Sequence, residues 1–215
     1  MGRSYHEIHL SEDPHRGTVW LEIANYLSGF IPESAAVLEM GAGYCDWINH
    51  VHARERVATD HWEGIRRHAA QGVECVVGDV YASLRSLSPK RFDVVLASNF
   101  FEHFTHVDLE GLMEDVKERL RDGGLLIAIQ PNFTHAYRHY FDDYTHRSVF
   151  SSVSFQAFLR SKGFRVVHVE SKFLPLTMKS RLPKWRWLVR VYLRSPIRPL
   201  AGQMLIVAEK CGKDE

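Results

Sequence analysis

The stretch VLEMGAGYCDW, from Val37 to Trp47, decides how this chain folds. It begins as an apolar run, turns acidic at Glu39, and then spaces Gly41 and Gly43 one residue apart around Ala42. A short apolar strand emptying into glycines is how a nucleotide-binding βα unit opens. Glycines allow a tight turn and close approach of a ligand, and a following helix N-terminus favours anions. A dinucleotide site would continue as G-x-G-x-x-G, yet GAGYCD has Asp46 at its sixth position, and the G-K-[ST] ending of a phosphate-cradling loop is absent. Cys45 stands where a third glycine is often found. By itself the loop is compatible with a purely structural turn.

Working outward, strand-like apolar runs alternate with helical patterns. Val19, Ile23, Tyr26 and Leu27 follow helical spacing, predicting a first helix over about 17–28. AVLEM is a buried strand, followed by the glycine loop and an expected helix carrying Trp47, Ile48 and Val51. On that reading Cys45 begins a helix with helical φ. RVATD, VECVV and FDVVLAS are three further strands, with a helix expected in WEGIRRHAAQ up to Gly72. The stripe Leu109, Leu112, Met113, Val116, Leu120 marks a long helix, expected to end at Asp122-Gly123-Gly124 before the strand LLIAI. A helix carrying Phe155, Phe158 and Leu159 closes at Gly163, and FRVVHVESKF and QMLIVAEK complete seven strands. Such alternation predicts an α/β fold: a mostly parallel seven-stranded sheet with helices on both faces and an antiparallel last strand.

In such sheets ligands bind beyond the carboxyl ends of the strands. The polar residues there are Glu39 to Cys45, Asp60, Asp79, Ser98 to His103 and Gln130 to Asn132. Asp60 stands where a carboxylate can accept both hydroxyls of a ribose, and Asp79 closes the third strand where it suits an exocyclic amine such as adenine N6. Either aspartate also serves well as a turn or helix cap.

Taken in order, VLEMGAG, ATD, VVGD, FDVVLASNFFEHF and LRDGGLLIAIQPN resemble a class I S-adenosylmethionine-dependent methyltransferase, over residues 37–132. The resemblance implies a single Rossmann-like methyltransferase domain over 1–215, with an N-terminal helical cap region at 1–30 and acceptor-side insertions at 133–150 and 174–200. It implies that Glu39 and the backbone of Gly41, Ala42 and Gly43 face the methionine part of S-adenosylmethionine. Asp60, with adjacent His61, would take the ribose, Asp79 and Val80 the adenine, and Ser98 and Asn99 the floor where the methyl meets its acceptor. A cofactor without phosphates also accounts for both incomplete phosphate motifs.

An oxygen acceptor needs a base to take its proton. His103 in FEHF and His146 in NFTHAYRHYFDDYTHR are the catalytic candidates among 13 histidines. Glu102, His103 and His106 resemble the E-x-x-E-H pattern with which some methyltransferases ligate a divalent ion. Asn99 stands at the first glutamate position and no H-E-x-x-H occurs, so no metal is assigned.

MKSRLPKWRWLVRVYLRSPIRP carries seven basic residues and no acidic one, with Trp185, Trp187, Leu188, Val191, Tyr192 and Leu193 interleaved. An amphipathic helix between Pro183 and Pro196, packed on the domain, is one reading. A peripheral membrane contact through 179–198 is the sharper one. The segments FDDYTH, FLPLTMKSRLP and GQMLIVAEK resemble methyltransferases of surface-polysaccharide and other glycan assembly, which implies a sugar, glycan-linked or lipid-linked acceptor. Another small metabolite, methylated on oxygen or nitrogen, is the alternative acceptor. A non-catalytic cofactor-binding protein of the same fold and a nicotinamide-dependent dehydrogenase are the rival readings, and the missing third glycine argues against the dehydrogenase.

The bulk numbers bound these readings. With 215 residues, 45% hydrophobic and 25% charged, the chain suits one globular domain. A net charge of +1 disfavours nucleic acid as a partner. Three scattered cysteines and an N-terminus without an apolar signal core fit a cytoplasmic protein, placed at the inner face of a membrane if the basic stretch meets one. Oligomeric state is not read from the sequence.

Overall fold

The computed structural model describes residues 15–176 and 184–212. The expectations for 1–14 within the N-terminal region, and for Lys179 and Arg181, lie outside the described residues.

The first helix, α1 (Arg16–Leu27), precedes β1 (Ala36–Met40) and β2 (Glu55–Asp60). Then come α2 (Ile65–His68), β3 (Val73–Val77), α3 (Val80–Ser86), β4 (Phe92–Ser98) and α4 (His106–Arg119). The long strand β5 (Leu120–Pro131) leads to α5 (Phe133–Ala136), α6 (Ser152–Ser161) and β6 (Phe164–Glu170), and α7 (Arg186–Arg194) and β7 (Gln203–Lys210) end the chain. The sheet order is β3-β2-β1-β4-β5-β7-β6. The first five strands run parallel, and β7 is antiparallel to both β5 and β6.

Every residue of β1 is buried, as expected for a central strand covered on both faces. Alternation along the strands feeds two cores. Val37, Leu96, Ile127 and Ile129 pack with α1, α2 and α7, while Leu38, Val95, Leu126 and Ala128 pack with α3, α4 and α6. Two N-termini are fastened by reciprocal caps, Thr105 with Asp108 on α4 and Ser151 with Ser154 on α6.

Four local expectations are corrected. The loop after β1 does not become a helix: residues 43–50 are consecutive turns that bury Trp47 and Ile48. Cys45 is the reason, with φ of 58° rather than a helical value, while Glu39 takes the amide of Ile48 at 3.0 Å. The helix expected across 62–71 shrinks to the single turn of α2, because Ala69 is already extended. Asp122-Gly123-Gly124 does not separate helix from strand. Leu120 pairs with Phe92 and Leu125 with Val94, so residues 121–124 form a bulge within β5, with Gly123 at φ 73°. The sixth strand ends at Glu170, three residues short of Phe173. Two short helices, α3 and α5, were not foreseen; Asp79 starts α3 by accepting the amides of Tyr81 and Ala82, and Asn132 caps α5 by accepting the amide of Thr134.

Candidate active site

Strand order reverses between β1 and β4, so the loops after these two strands flank a crevice at the carboxyl edge of the sheet. They touch. A Cβ added to Gly41 would lie 2.5 Å from the ring of Phe100, and Gly41 has φ 66°, so both space and backbone require glycine there. Gly43, at φ 51°, and Cys45 repeat the left-handed conformation at every second residue. For Cys45 this is strain held by burial, by its amide bond to Ala42 O at 2.7 Å, and by its thiol against Ile65 O.

Carboxylates from β1 and β2 pin this loop from beneath. Glu39 is buried, binds Ile48 N, and burial raises its pKa well above the ordinary carboxylate range. Asp60 is buried at the end of β2 and accepts Gly43 N at 2.8 Å and Trp62 N at 2.9 Å. His61 Nδ1 lies 3.3 Å from the oxygen that accepts Trp62 N. The neighbouring strand end is tied in as well, since Gly78 N donates to Asp60 O at 2.9 Å. Asp79 is exposed and caps α3 through one oxygen, with Val80 half-buried beside it. Across the switch point Asn99 takes φ 47°, donates its backbone N–H to Ile129 O at 2.8 Å, and holds Ser98 Oγ and Gln203 through its side chain.

His103 and His146, 43 positions apart, are brought together with ring centroids 5.1 Å apart. Thr145 Oγ donates its single hydrogen to Asp143 at 2.6 Å, because a carboxylate can only accept. The 2.9 Å contact between Thr145 Oγ and His103 Nδ1 must then be donated by the ring. Burial lowers the pKa of the His103 ring, with His146 adding to the shift, while the backbone of Thr145 and Asn99 pulls the other way. Thr145 and Asp143 as an orienting pair, and Phe100 as the wall against Gly41, had no advance signal beyond their place in the polar, aromatic strings. His106, weighed as a ligand, packs its ring on Phe150 instead.

A cavity of about 440 Å³ opens at this same edge between His135, Lys172, Arg198 and Leu200. Another of about 440 Å³, between Glu33, Asn49, His52 and Arg56, lies at the opposite edge where β2 begins and plays no part in the site.

The residues fit a nucleoside without phosphates. The loop from Glu39 to Trp47 carries no basic side chain, while acidic Asp60 and Asp79 end adjacent strands where hydroxyl and amine donors would meet them. A sheet of order 3-2-1-4-5-7-6, a glycine turn after its first strand and a carboxylate closing its second define the class I S-adenosylmethionine-dependent methyltransferases. Residues 13–169 match the family described as methyltransferase domain, and the chain belongs to that family. Its cofactor is S-adenosylmethionine.

The chain is similar in fold to an S-adenosylmethionine-dependent methyltransferase from Archaeoglobus fulgidus (20% identity, TM-score 0.68, 96% of this chain and 98% of that one). Similar too are such methyltransferases from Thermotoga maritima (17%, TM-score 0.64, 91% of each chain) and Mesorhizobium loti (15%, TM-score 0.60, 86% and 95%). No curated protein matches the sequence.

Proposed function

We propose that the enzyme methylates a hydroxyl of a sugar, or of a glycan-linked or lipid-linked small molecule, with His103 and His146 on the acceptor side. The observation that carries this reading is the Asp143–Thr145–His103 chain, through which the 133–150 segment orients an imidazole whose pKa burial lowers. S-adenosylmethionine supplies the electrophilic methyl group. Asp60 holds the ribose hydroxyls with His61 beside it, Asp79 and Val80 take the adenine, and Glu39 and the backbone of Gly41–Gly43 face the methionine part. Ser98 and Asn99 line the floor. In-line transfer asks mainly that two reactants be held aligned, and His103 then accepts the hydroxyl proton.

Three features support a sugar. The cavity at the carboxyl edge has room for one, and the exposed rings of Tyr137, Phe141 and Tyr144 on the 133–150 segment offer flat faces to its C–H bonds. The same segment supplies Asp143 and Thr145. We propose further that the exposed side chains of 184–200 rest on an anionic membrane surface where a lipid-linked acceptor would lie.

A panel of nucleotide-linked and lipid-linked sugars, incubated with S-adenosylmethionine and followed by mass spectrometry, tests the acceptor. Addition of one methyl to a sugar hydroxyl is expected. Turnover of amine or phenol metabolites with none of any sugar overturns it. His103→Ala should lower kcat by roughly 10²–10⁴-fold, the usual contribution of a positioned base. An unchanged kcat would remove His103 from the chemistry.

A further inference from the structure

Glu102 is 1% exposed, and neither of its carboxylate oxygens has a hydrogen-bond partner. Burial pushes its pKa up to about 8; the backbone amides of Glu102 and Phe100 pull the other way without reaching hydrogen-bond geometry. A buried carboxyl left without partners is destabilising, which points to something else being bound there. What faces it is informative. One carboxylate oxygen of Glu102 and one ring nitrogen each of His103 and His146 lie within 4.8 Å of one another.

A second observation points to the same place. Gln130 is also 1% exposed, and both its amide oxygen and nitrogen lack partners. It falls on the face of β5 that carries Leu126 and Ala128, the face against which Phe101 packs, and the turn Phe101–His103 is in contact with β5. Two buried polar side chains are therefore left unsatisfied on elements that touch, at the sheet edge where the acceptor is proposed to bind.

We propose that Glu102, His103 and His146 bind a divalent transition-metal cation beside the methyl-transfer site. Two imidazoles and one carboxylate select borderline ions such as zinc, cobalt or ferrous iron over magnesium or calcium, which prefer all-oxygen shells. Ligand atoms about 2.1 Å from one ion lie roughly 3–4 Å apart, so closing the present arrangement needs ring movements of about an ångström or less. The Asp143–Thr145 pair on Nδ1 of His103 is the kind of outer support that fixes a ligating ring's tautomer. Three protein ligands leave room for an acceptor hydroxyl, which the cation would acidify so that its proton passes to solvent water while its oxygen takes the methyl group. The inference rests on the methyltransferase reading and refines it: with the cation bound, His103 is a ligand and solvent takes the proton, and without it the His103 ring takes the proton.

Cobalt(II) is the probe, added to chelator-treated full-length protein and followed by visible d–d absorption and calorimetry. S-adenosylhomocysteine is titrated into the same preparation. Saturable binding of one cobalt per chain is expected, weakened about 100-fold by Glu102→Gln and by His146→Ala while S-adenosylhomocysteine affinity stays within about twofold. Retained S-adenosylhomocysteine binding shows that each variant is folded, and the second variant serves if the first is not. No saturable cobalt binding, or equal affinity in wild type and a folded variant, overturns the cation site while leaving the methyltransferase reading intact. Loss of S-adenosylhomocysteine binding in the wild type would instead overturn that underlying reading.

Discussion

Asp60 holds its own protein, and on the proposed reading it holds the ligand as well. Its carboxylate accepts the amides of Gly43 and Trp62, which orders the loop, and it stands at the strand end proposed for the ribose hydroxyls. Asp60→Ala should weaken S-adenosylhomocysteine binding by roughly 1.5–3 kcal/mol, as expected for a lost charge-assisted hydrogen bond. Calorimetry checks this, and an unchanged Kd would show that Asp60 only shapes the loop. Gly41 makes a sharper demand. Gly41→Ala places a Cβ 2.5 Å from Phe100 at φ 66°, so it should lower stability by about 1–3 kcal/mol in denaturant melts. Gly41→Ala/Phe100→Ala should recover only the steric part, because the backbone strain stays; full recovery would mean that Phe100 alone requires the glycine. Glu39, Gly41, Gly43 and Asp60 were legible from their place after apolar strands. The φ of Cys45 was not, because an L-residue enters the left-handed region only when surrounding contacts force it there. Nor was the bond between His103 and Thr145, since chain separation conceals which loops meet.

At the scale of elements, α7 shows how a sequence pattern can mislead about direction. Its arginines read as a solvated or headgroup-facing stripe, yet Arg186 and Arg190 turn inward to Glu22 of α1, whose carboxylate is 2% exposed. Arg198 likewise pairs with Glu170. The hydrogen bond from Arg190 holds the Glu22 carboxyl below its ordinary value of 4.5. A depressed carboxyl stabilises the fold above that value, and the contribution is lost as pH falls through the folded-state pKa. Arg186→Ala/Arg190→Ala should therefore lower Tm at neutral pH by about 2–4 °C or more, by stranding a buried carboxylate. Its deficit should shrink in acid. A pH-independent deficit would assign the loss to packing of the arginine stems rather than to charge. The glycine bulge in β5 follows the same logic: DGG has the composition of a helix stop, and only pairing with β4 shows the strand already under way at Leu120.

For the molecule as a whole, the notable exposed surface is an apolar patch around α7. Trp185, Trp187, Val191, Ile197 and Leu200 are exposed, the two indoles packing together at 6.0 Å between centroids, with Arg194 exposed alongside. Among the described residues no helix is long and apolar enough to cross a membrane, so the proposed contact is interfacial. It is carried by indoles more than by cations, since three of the arginines are held in ion pairs. The wild type should sediment with anionic vesicles and Trp185→Ser/Trp187→Ser should not. Equal, negligible binding of both would remove the contact.

The sequence by itself determined the alternation of strands and helices, the two-faced burial of the sheet and the carboxylates at its strand ends. Those depend on periodicity and on what directly follows an apolar run, both of which are local. Tertiary structure alone decided that Glu102 is buried without a partner, that His146 rather than His106 meets His103, and that Glu22 draws α7's arginines inward. Each of these joins segments far apart in the chain, where the free energy lies in desolvation and pairing across elements that no local pattern records.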